Sequence, residues 1–218
     1  MSEEGPLIRQ IRLGGERAFF SMLQKESYLS FLEQNELIPI YKILTTPQCH
    51  QEIEDELIDF AVCGPDPTNT VLKGVPLFVD EFIIVGNQQW KQEFGKAKSK
   101  KDKARILNEC QWVMYAEEVW IDQIRLYLSE MLGEKIVLNF HSLIKDQEFI
   151  LGMVQQGTGL SVLPLRICSG LLQDKLLFRL FDFKSKLTFT QHLLWKDGKL
   201  RNKKHAKLHQ FLIDFYQS

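Results

Sequence analysis

Three short stretches of this 218-residue chain place glycine, hydroxyl or charged residues directly after an apolar run. They are Gly14-Gly15-Glu16-Arg17, Thr45-Thr46-Pro47-Gln48 and the loop from Ser142 to Gln147. In an open parallel sheet, ligands bind beyond the carboxyl ends of the strands, where the first N–H groups of the next helix lack partners. Glycine permits close backbone approach, Arg17 could pair with a carboxylate, and both threonines could donate hydrogen bonds. The sequence therefore predicts a small-molecule site at these turns.

Structural roles remain open for the same residues, because Thr46 could serve only to cap its helix and Arg17 could be an ordinary surface side chain. The sequence contains no GxSxG, GxxxxGK[ST] or HExxH pattern and no paired-cysteine zinc framework. His205 and His209 are one helical turn apart, but no third ligand lies nearby in the sequence. We therefore predict neither an enzyme, nor a metal site, nor a cofactor.

The cysteines are widely spaced and form no CxxC pair: Cys49, Cys63, Cys110 and Cys168. In a reducing compartment such residues are most simply buried small apolar side chains. A redox switch is the alternative, with Cys49 and Cys63 as the cysteines closest in sequence. We predict that mild oxidation leaves all four thiols unchanged.

The composition is that of an ordinary globular protein, with 44% hydrophobic and 25% charged residues. A formal net charge of −1 gives the whole chain no attraction to nucleic acid or to an anionic membrane. The start, MSEEGPLIRQ, lacks the character of a signal peptide, and no apolar run has the roughly 18 residues of a membrane span. We expect a cytoplasmic protein. The lysine-rich run 96–105 predicts a solvated helix face, with an anion site as the alternative.

Apolar periodicity predicts strands and helices in alternation. The strands are predicted at 7–13, 38–44, 58–64, 81–86, 111–116, 135–142 and 187–195. Helices are predicted at 18–34, from Thr45-Thr46-Pro47 onward, at 120–131 and at the C-terminus. This alternation predicts an α/β fold with parallel sheets.

The stretch FILGMVQQGTGLSVLPLR, residues 149–166, predicts a helix, a turn with two glycines and a short buried strand. Asp146 would cap the helix, and Gly157 would end it in a left-handed conformation. Gly159 would let the chain reverse tightly before the strand that Pro164 closes. We interpret the glycines as backbone turns beside a hinge rather than as a phosphate-binding loop.

Four motifs in fixed order carry a family resemblance: IRLGG (11–15), ELIDFAVCGPDP (56–67), VPLFVDEFIIVG (75–86) and FILGMVQQGTGLSVLP (149–164). Together they closely resemble the effector-binding (regulatory) domain of the LysR-type transcriptional regulators, over nearly the whole chain. The resemblance implies a type II periplasmic-binding-protein fold, in which two Rossmann-like α/β lobes are joined by two crossover strands. Lobe I would comprise residues 1–84 and 166–218, and lobe II residues 85–165. The crossovers would fall near 80–85 and 162–166.

The same resemblance implies that a small-molecule effector binds in the cleft between the lobes. The family's effector contacts fall on Glu16, Arg17, Thr45, Thr46, Gln48, Gly64, Tyr115, Ala116, Asp146 and Gln147. Many relatives carry a small hydroxyl residue in place of Glu16-Arg17, and some carry arginine in place of Gly64. An organic anion is therefore one candidate effector, and an inherited carboxylate site is not assumed.

In the family, the effector signal passes through a homodimer of regulatory domains to a winged helix-turn-helix, which does not precede Leu7 here. We expect DNA binding only through that absent domain. The predicted dimer contacts are the helix at 18–34 and the helix at 120–131. The apolar residues Phe19, Phe20, Tyr28, Leu29, Phe31 and Leu32 fit either an interface or a wide core stripe.

Two other functions are compatible with this fold. One is a stand-alone solute-binding protein, and coding sequence for a helix-turn-helix immediately upstream would exclude it. The other is an enzyme of the porphobilinogen-deaminase type, but none of the cysteines lies in a motif typical of its cofactor.

Overall fold

The computed structural model describes residues 10–66, 68–181 and 186–217. The chain divides into two compact units, unit 1 with residues 1–79 and 190–218, and unit 2 with residues 80–189. The mixed α/β class predicted from the sequence is confirmed. The predicted strand at 7–13 lies partly outside the described residues.

Unit 1 is built around a parallel three-stranded core with helices from both ends of the chain. Its elements are β1 (Gln10–Gly15), α1 (Arg17–Met22), α2 (Glu26–Gln34), β2 (Ile38–Ile43), α3 (Thr46–Glu54), β3 (Phe60–Cys63), the first part of β4 (Leu72–Gly86), the last part of β9 (Leu187–Lys196) and α9 (Lys203–Gln217). Strand β1 lies between β2 and β3 and is parallel to both, as predicted, whereas β9 pairs with β3 in the antiparallel direction.

The single helix predicted at 18–34 is wrong, because α1 ends at Met22 and α2 begins at Glu26. Phe19 and Tyr28 are nine residues apart, which puts them on opposite sides of a continuous helix at about 100° per residue. Both side chains are buried in the same core cluster. The break therefore rotates the second helix so that both apolar faces reach one core.

The C-terminal helix α9 accounts for most of the apolar excess in α1 and α2. Phe211 stacks on Phe31 with ring centroids 4.2 Å apart, and Tyr216 stacks on Phe19 at 5.6 Å. Phe20 contacts Tyr41 of β2 at 5.0 Å. The wide-core alternative therefore explains these aromatic residues, and it leaves one large apolar side chain, Leu29, exposed.

Unit 2 contains a two-stranded parallel sheet and an antiparallel group around β4. Its elements are the last part of β4, α4 (Gln88–Gly95), α5 (Lys100–Glu109), β5 (Gln111–Tyr115), α6 (Glu118–Leu132), β6 (Asn139–Ile144), α7 (Gln147–Gln155), β7 (Ser161–Pro164), α8 (Leu165–Gln173), β8 (Phe178–Arg179) and the first part of β9. Strand β5 is parallel to β6, and β4 pairs antiparallel with β7 and β8.

The turn between α7 and β7 has the predicted glycine conformations. Gly157 has a φ of +87°, which confirms the left-handed helix end. A Cβ on Gly159 would lie 2.3 Å from the Gln111 carbonyl oxygen, so no other residue fits there. The neighbouring Leu160 N–H donates to that same oxygen at 2.9 Å, which attaches the turn to β5.

The chain returns to unit 1 later than the sequence indicated. The prediction placed this passage near 162–166, whereas the units of the structure change between Phe189 and Thr190, within β9. The reason is that Cys168 of α8 and the following Leu177 are buried with Ile83 and Val85 in the core of unit 2. Residues 166–189 therefore belong to unit 2 rather than to the lobe expected.

Candidate functional site

The unit 1 half of the candidate site lies at the carboxyl ends of three adjacent parallel strands. Gly15 of β1 is in register with Ile43 of β2 and Val62 of β3, so the three following loops share one edge of the sheet. These loops carry the predicted residues Glu16, Arg17, Thr45, Thr46, Gln48 and Gly64. Six of the ten predicted positions are thus brought together within this unit.

Gly15 allows β1 to lie close to β3 and also bonds the loop that follows β2. Its φ is +153°, and a Cβ there would lie 3.0 Å from the Val62 carbonyl oxygen. The Leu44 N–H donates to the Gly15 carbonyl oxygen at 2.9 Å. Glu16 then adopts an extended conformation before α1, and the exposed Arg17 begins that helix. The only cation among these six positions is therefore accessible to solvent.

Thr45, rather than Thr46, is the capping residue of α3. The Gln48 side-chain oxygen accepts from the Thr45 N–H and from its hydroxyl group, both at 2.9 Å. The predicted helix start with Pro47 in the first turn is confirmed. The Gln48 oxygen is therefore engaged in the cap, whereas Thr46 lies beside Gly64, where an added Cβ would meet its methyl group at 3.8 Å.

His50 belongs to this half of the site, although the sequence reasoning missed it. Its Nε2 lies 2.8 Å from the Gly64 carbonyl oxygen. A carbonyl oxygen only accepts, so Nε2 carries the proton in this contact. The bond joins α3 to the loop after β3 and fixes the position of Gly64.

The unit 2 half of the candidate site lies at the ends of the parallel strands β5 and β6. Tyr115 is the last residue of β5, and the Ala116 N–H donates to the Ile144 carbonyl oxygen at 3.1 Å. The adjacent Glu117 was missed by the sequence reasoning. Burial raises the pKa of its carboxyl group above the ordinary value for glutamate.

Asp146 and Gln147 occupy the start of α7 in the same half. The Asp146 carboxylate accepts from the N–H groups of Glu148 at 3.0 Å and Phe149 at 3.2 Å, which confirms the predicted cap. This bonding commits one Asp146 oxygen to the helix. The four predicted positions of unit 2 therefore converge at one edge, as the six do in unit 1.

All four cysteines are buried free thiols. Burial raises the pKa of Cys110 and of Cys168 to about 12, so these two thiols are weakly nucleophilic at neutral pH. Within residues 10–66, 68–181 and 186–217, no three His, Cys, Asp or Glu side chains are grouped as metal ligands would be. The described helices include none that is long and apolar enough to cross a membrane.

The chain has two α/β units, and polar loops lie at the strand ends of each. This arrangement is typical of periplasmic-binding-protein-like ligand-binding domains. The profile of the LysR substrate binding domain matches residues 41–217, which is most of the chain. The protein therefore belongs to the LysR substrate-binding-domain family, which is a family of regulatory domains rather than of enzymes. No curated protein sequence matches the chain.

Solved structures show the same fold at low sequence identity. The regulatory domain of CrgA, a LysR-type transcriptional regulator from Neisseria meningitidis, aligns with a TM-score of 0.72 and 14% identity, covering 95% of this chain and 98% of that one. The effector domain of AmpR from Pseudomonas aeruginosa gives 0.73 and 12%, covering 95% of each. The effector binding domain of QuiR, in complex with shikimate, gives 0.71 and 14%, covering 95% and 97%.

Proposed function

We propose that this chain is the ligand-sensing regulatory domain of a LysR-type transcriptional regulator and has no enzymatic activity. The observation that carries the proposal is the convergence of six predicted effector contacts at the ends of β2, β1 and β3. The family match and the second polar edge in unit 2 support it. The effector takes contacts from both half-sites and thereby biases the population of domain conformations. We assign sequence-specific DNA binding in the whole regulator to a helix-turn-helix domain.

The effector is proposed to be a small organic anion with hydroxyl groups. Arg17 supplies the cation, and Thr46 and the Ala116 edge supply short polar contacts. Glu16 would repel a second carboxylate placed near it, so a single negative charge fits better than several. Shikimate, the ligand named for QuiR, has this chemistry and is the first compound to test.

A thermal-shift screen of shikimate, benzoate, citrate and amino acids tests this site. A ligand at about 100 times its Kd stabilises the folded state by about 2.7 kcal/mol, which raises the Tm by several degrees. Arg17→Ala and Thr46→Val should abolish the shift, whereas Thr46→Ser and the exposed Arg105→Ala should keep it. If all folded variants respond like the parent chain, or if no compound shifts any of them, the proposed site is rejected.

Dimerisation is proposed as the route of the signal, because each unit exposes an apolar surface. In unit 1, Leu29 of α2 is 54% exposed and Ile43 of the edge strand β2 is 50% exposed. In unit 2, Leu126 of α6 is 59% exposed and Leu143 of β6 is 50% exposed. In a twofold dimer, the unit 1 surface of each chain would pack on the unit 2 surface of its partner, so the same contact forms twice.

Sedimentation equilibrium tests the dimer. Leu29→Glu and Leu126→Glu should each weaken it at least about tenfold, since each places a charge in the contact twice. Val71→Glu, an exposed apolar position outside both surfaces, is the matched control. A parent chain that stays monomeric at high concentration would count against this part of the proposal.

A further inference from the structure

A strongly basic stretch, residues 96–105 with the sequence KAKSKKDKAR, lies at the start of α5 in unit 2; we call it the basic segment. It contains five lysines and one arginine against one aspartate, a net charge of +5. Because the whole chain carries −1, the rest of it carries −6. The basic segment is therefore a local concentration of positive charge, equal in net charge to residues 196–207, and a polyanion would be attracted to it.

Three cations of the basic segment have no anionic partner among the residues that the structure describes. Lys98, Lys100 and Lys101 are exposed and take part in none of the ion pairs found in the described ranges. The other cations are engaged: Lys96 pairs with Glu93, Arg105 pairs with Glu109, and Lys103 lies over the Phe181 ring.

These three lysines, which lie just before α5 and in its first turn, do not stabilise that helix. Cations at a helix N-terminus oppose the helix dipole, and the like charges of Lys101 and Arg105, one turn apart, repel each other. Ser99 and Asp102 already cap α5, because each side chain bonds the other's backbone N–H at 3.0 Å or less. The positions of these three lysines are therefore unfavourable for the stability of α5, which favours a role in binding another molecule.

A second lysine-rich stretch, residues 196–207 in unit 1, provides a contrast. Lys196 pairs with Glu56 at 2.7 Å, and Lys199 pairs with Asp59 at 2.7 Å. Lys207 donates to the Asn35 side-chain oxygen at 3.2 Å. Three lysines of that stretch therefore bond side chains of their own unit, although the exposed Arg201 and Lys203 take part in none of the described ion pairs. The basic segment instead leaves three cations within four residues available to a ligand.

We propose that the basic segment makes a sequence-independent contact with the phosphate backbone of duplex DNA. Lysine side chains bind phosphates as mobile point charges, and the binding energy comes from release of counterions. The choice of DNA over other polyanions rests on the proposed function, since a regulator holds its domains near DNA. Such tethering gives even a weak contact a high effective concentration.

Fluorescence anisotropy with this chain and a labelled duplex of arbitrary sequence tests the contact. Three phosphate contacts predict that affinity falls about 40-fold between about 50 mM and about 200 mM salt. Lys98→Gln/Lys100→Gln/Lys101→Gln should weaken binding at low salt at least about tenfold without lowering the Tm. The matched control changes three dispersed exposed lysines to glutamine, Lys73, Lys135 and Lys175.

Every outcome decides the proposal. It is overturned by an absence of DNA binding at low salt, by equal losses in both triple variants, or by a Tm loss that shows a structural role. Anionic vesicles bound more tightly than DNA would assign the segment to a membrane surface and also overturn it. The effector screen is independent, so a DNA failure with an intact thermal shift would leave the proposed function standing.

Discussion

Among the residues that the structure describes, each unit buries one carboxylate, and the two units neutralise it in different ways. Asp59 in unit 1 and Asp80 in unit 2 are both 3% exposed. The Asp59 carboxylate oxygen Oδ1 lies 2.9 Å from Nη2 of Arg12, 2.7 Å from Nζ of Lys199 and 3.6 Å from Nε2 of His205. Asp80 receives Arg166 through two bonds, at 2.6 and 3.1 Å. Among the described residues, Arg166 is the only cation paired with Asp80.

The two carboxylates differ in the number of cations that neutralise them. Burial raises the pKa of Asp59, but His205, Arg12 and Lys199 outweigh it, so the pKa lies well below its ordinary range. Asp59 therefore holds together β1, β3, the turn at Lys199 and α9 as the anion common to several cations. Among the described residues, Asp80 pairs with a single cation, Arg166, and this pair fastens α8 to β4. Replacing Asp59 should therefore lower the stability of unit 1 strongly. In unit 2, replacing Asp80 and replacing Arg166 should lower stability by similar amounts.

The largest predicted effect follows from removing the shared anion. Asp59→Asn leaves Arg12 and Lys199 close together without a counter-charge, which should lower the free energy of unfolding by about 3–5 kcal/mol. Lys199→Met should lower it by about 1 kcal/mol or less, because the Arg12 bonds remain. Urea denaturation followed by tryptophan fluorescence measures both. Equal losses in the two variants would refute redundancy at Asp59.

An intermediate effect is expected in unit 2. Asp80→Asn and Arg166→Met should each lower the free energy of unfolding by about 2 kcal/mol, and the double variant should lose little more than either single variant. A double-mutant cycle in urea measures this coupling. Strictly additive losses would mean that the two side chains contribute independently, contrary to their pairing.

The two carboxylates also show which features sequence reasoning reaches. Asp59 was recognised as part of a motif, but its cations lie 47, 140 and 146 residues away, so no local pattern revealed them. The ends of β1 at Gly15 and of β3 at Cys63 were predicted to within two residues, and the cap at Asp146 was predicted correctly, because turns and caps depend on neighbouring residues.

Features decided by tertiary packing were missed or displaced. The break between α1 and α2 depends on which face the core of unit 1 accepts, and a single helix was the better local prediction. The return to unit 1 within β9, rather than near Arg166, depends on the burial of Cys168 and Leu177. Two residues of the candidate site, His50 and Glu117, were not predicted. The spacing of residues along the sequence shows neither the bond from His50 to the distant Gly64 carbonyl oxygen nor the burial of Glu117.

The smallest effect concerns pH and again distinguishes the units. Burial against Trp195 and near Phe60 lowers the pKa of His209 in unit 1. The unfolded chain, with an ordinary histidine pKa of about 6.5, binds the proton more readily than the folded chain. Stability is therefore complete above about pH 6.5 and falls as the pH drops below it. Titration of Asp59 acts in the same direction, but only below about pH 4.

Thermal unfolding between neutral pH and pH 5 measures this slope. His209→Phe should flatten it, because the variant has no proton to gain at that position, whereas the exposed His141→Gln in unit 2 should leave it unchanged. His205 lies one turn before His209 and faces Asp59, so a slope that persists in His209→Phe but disappears in His205→Phe would move the titration to the Asp59 cluster. A slope that both unit 1 variants retain would show that neither histidine couples protonation to folding.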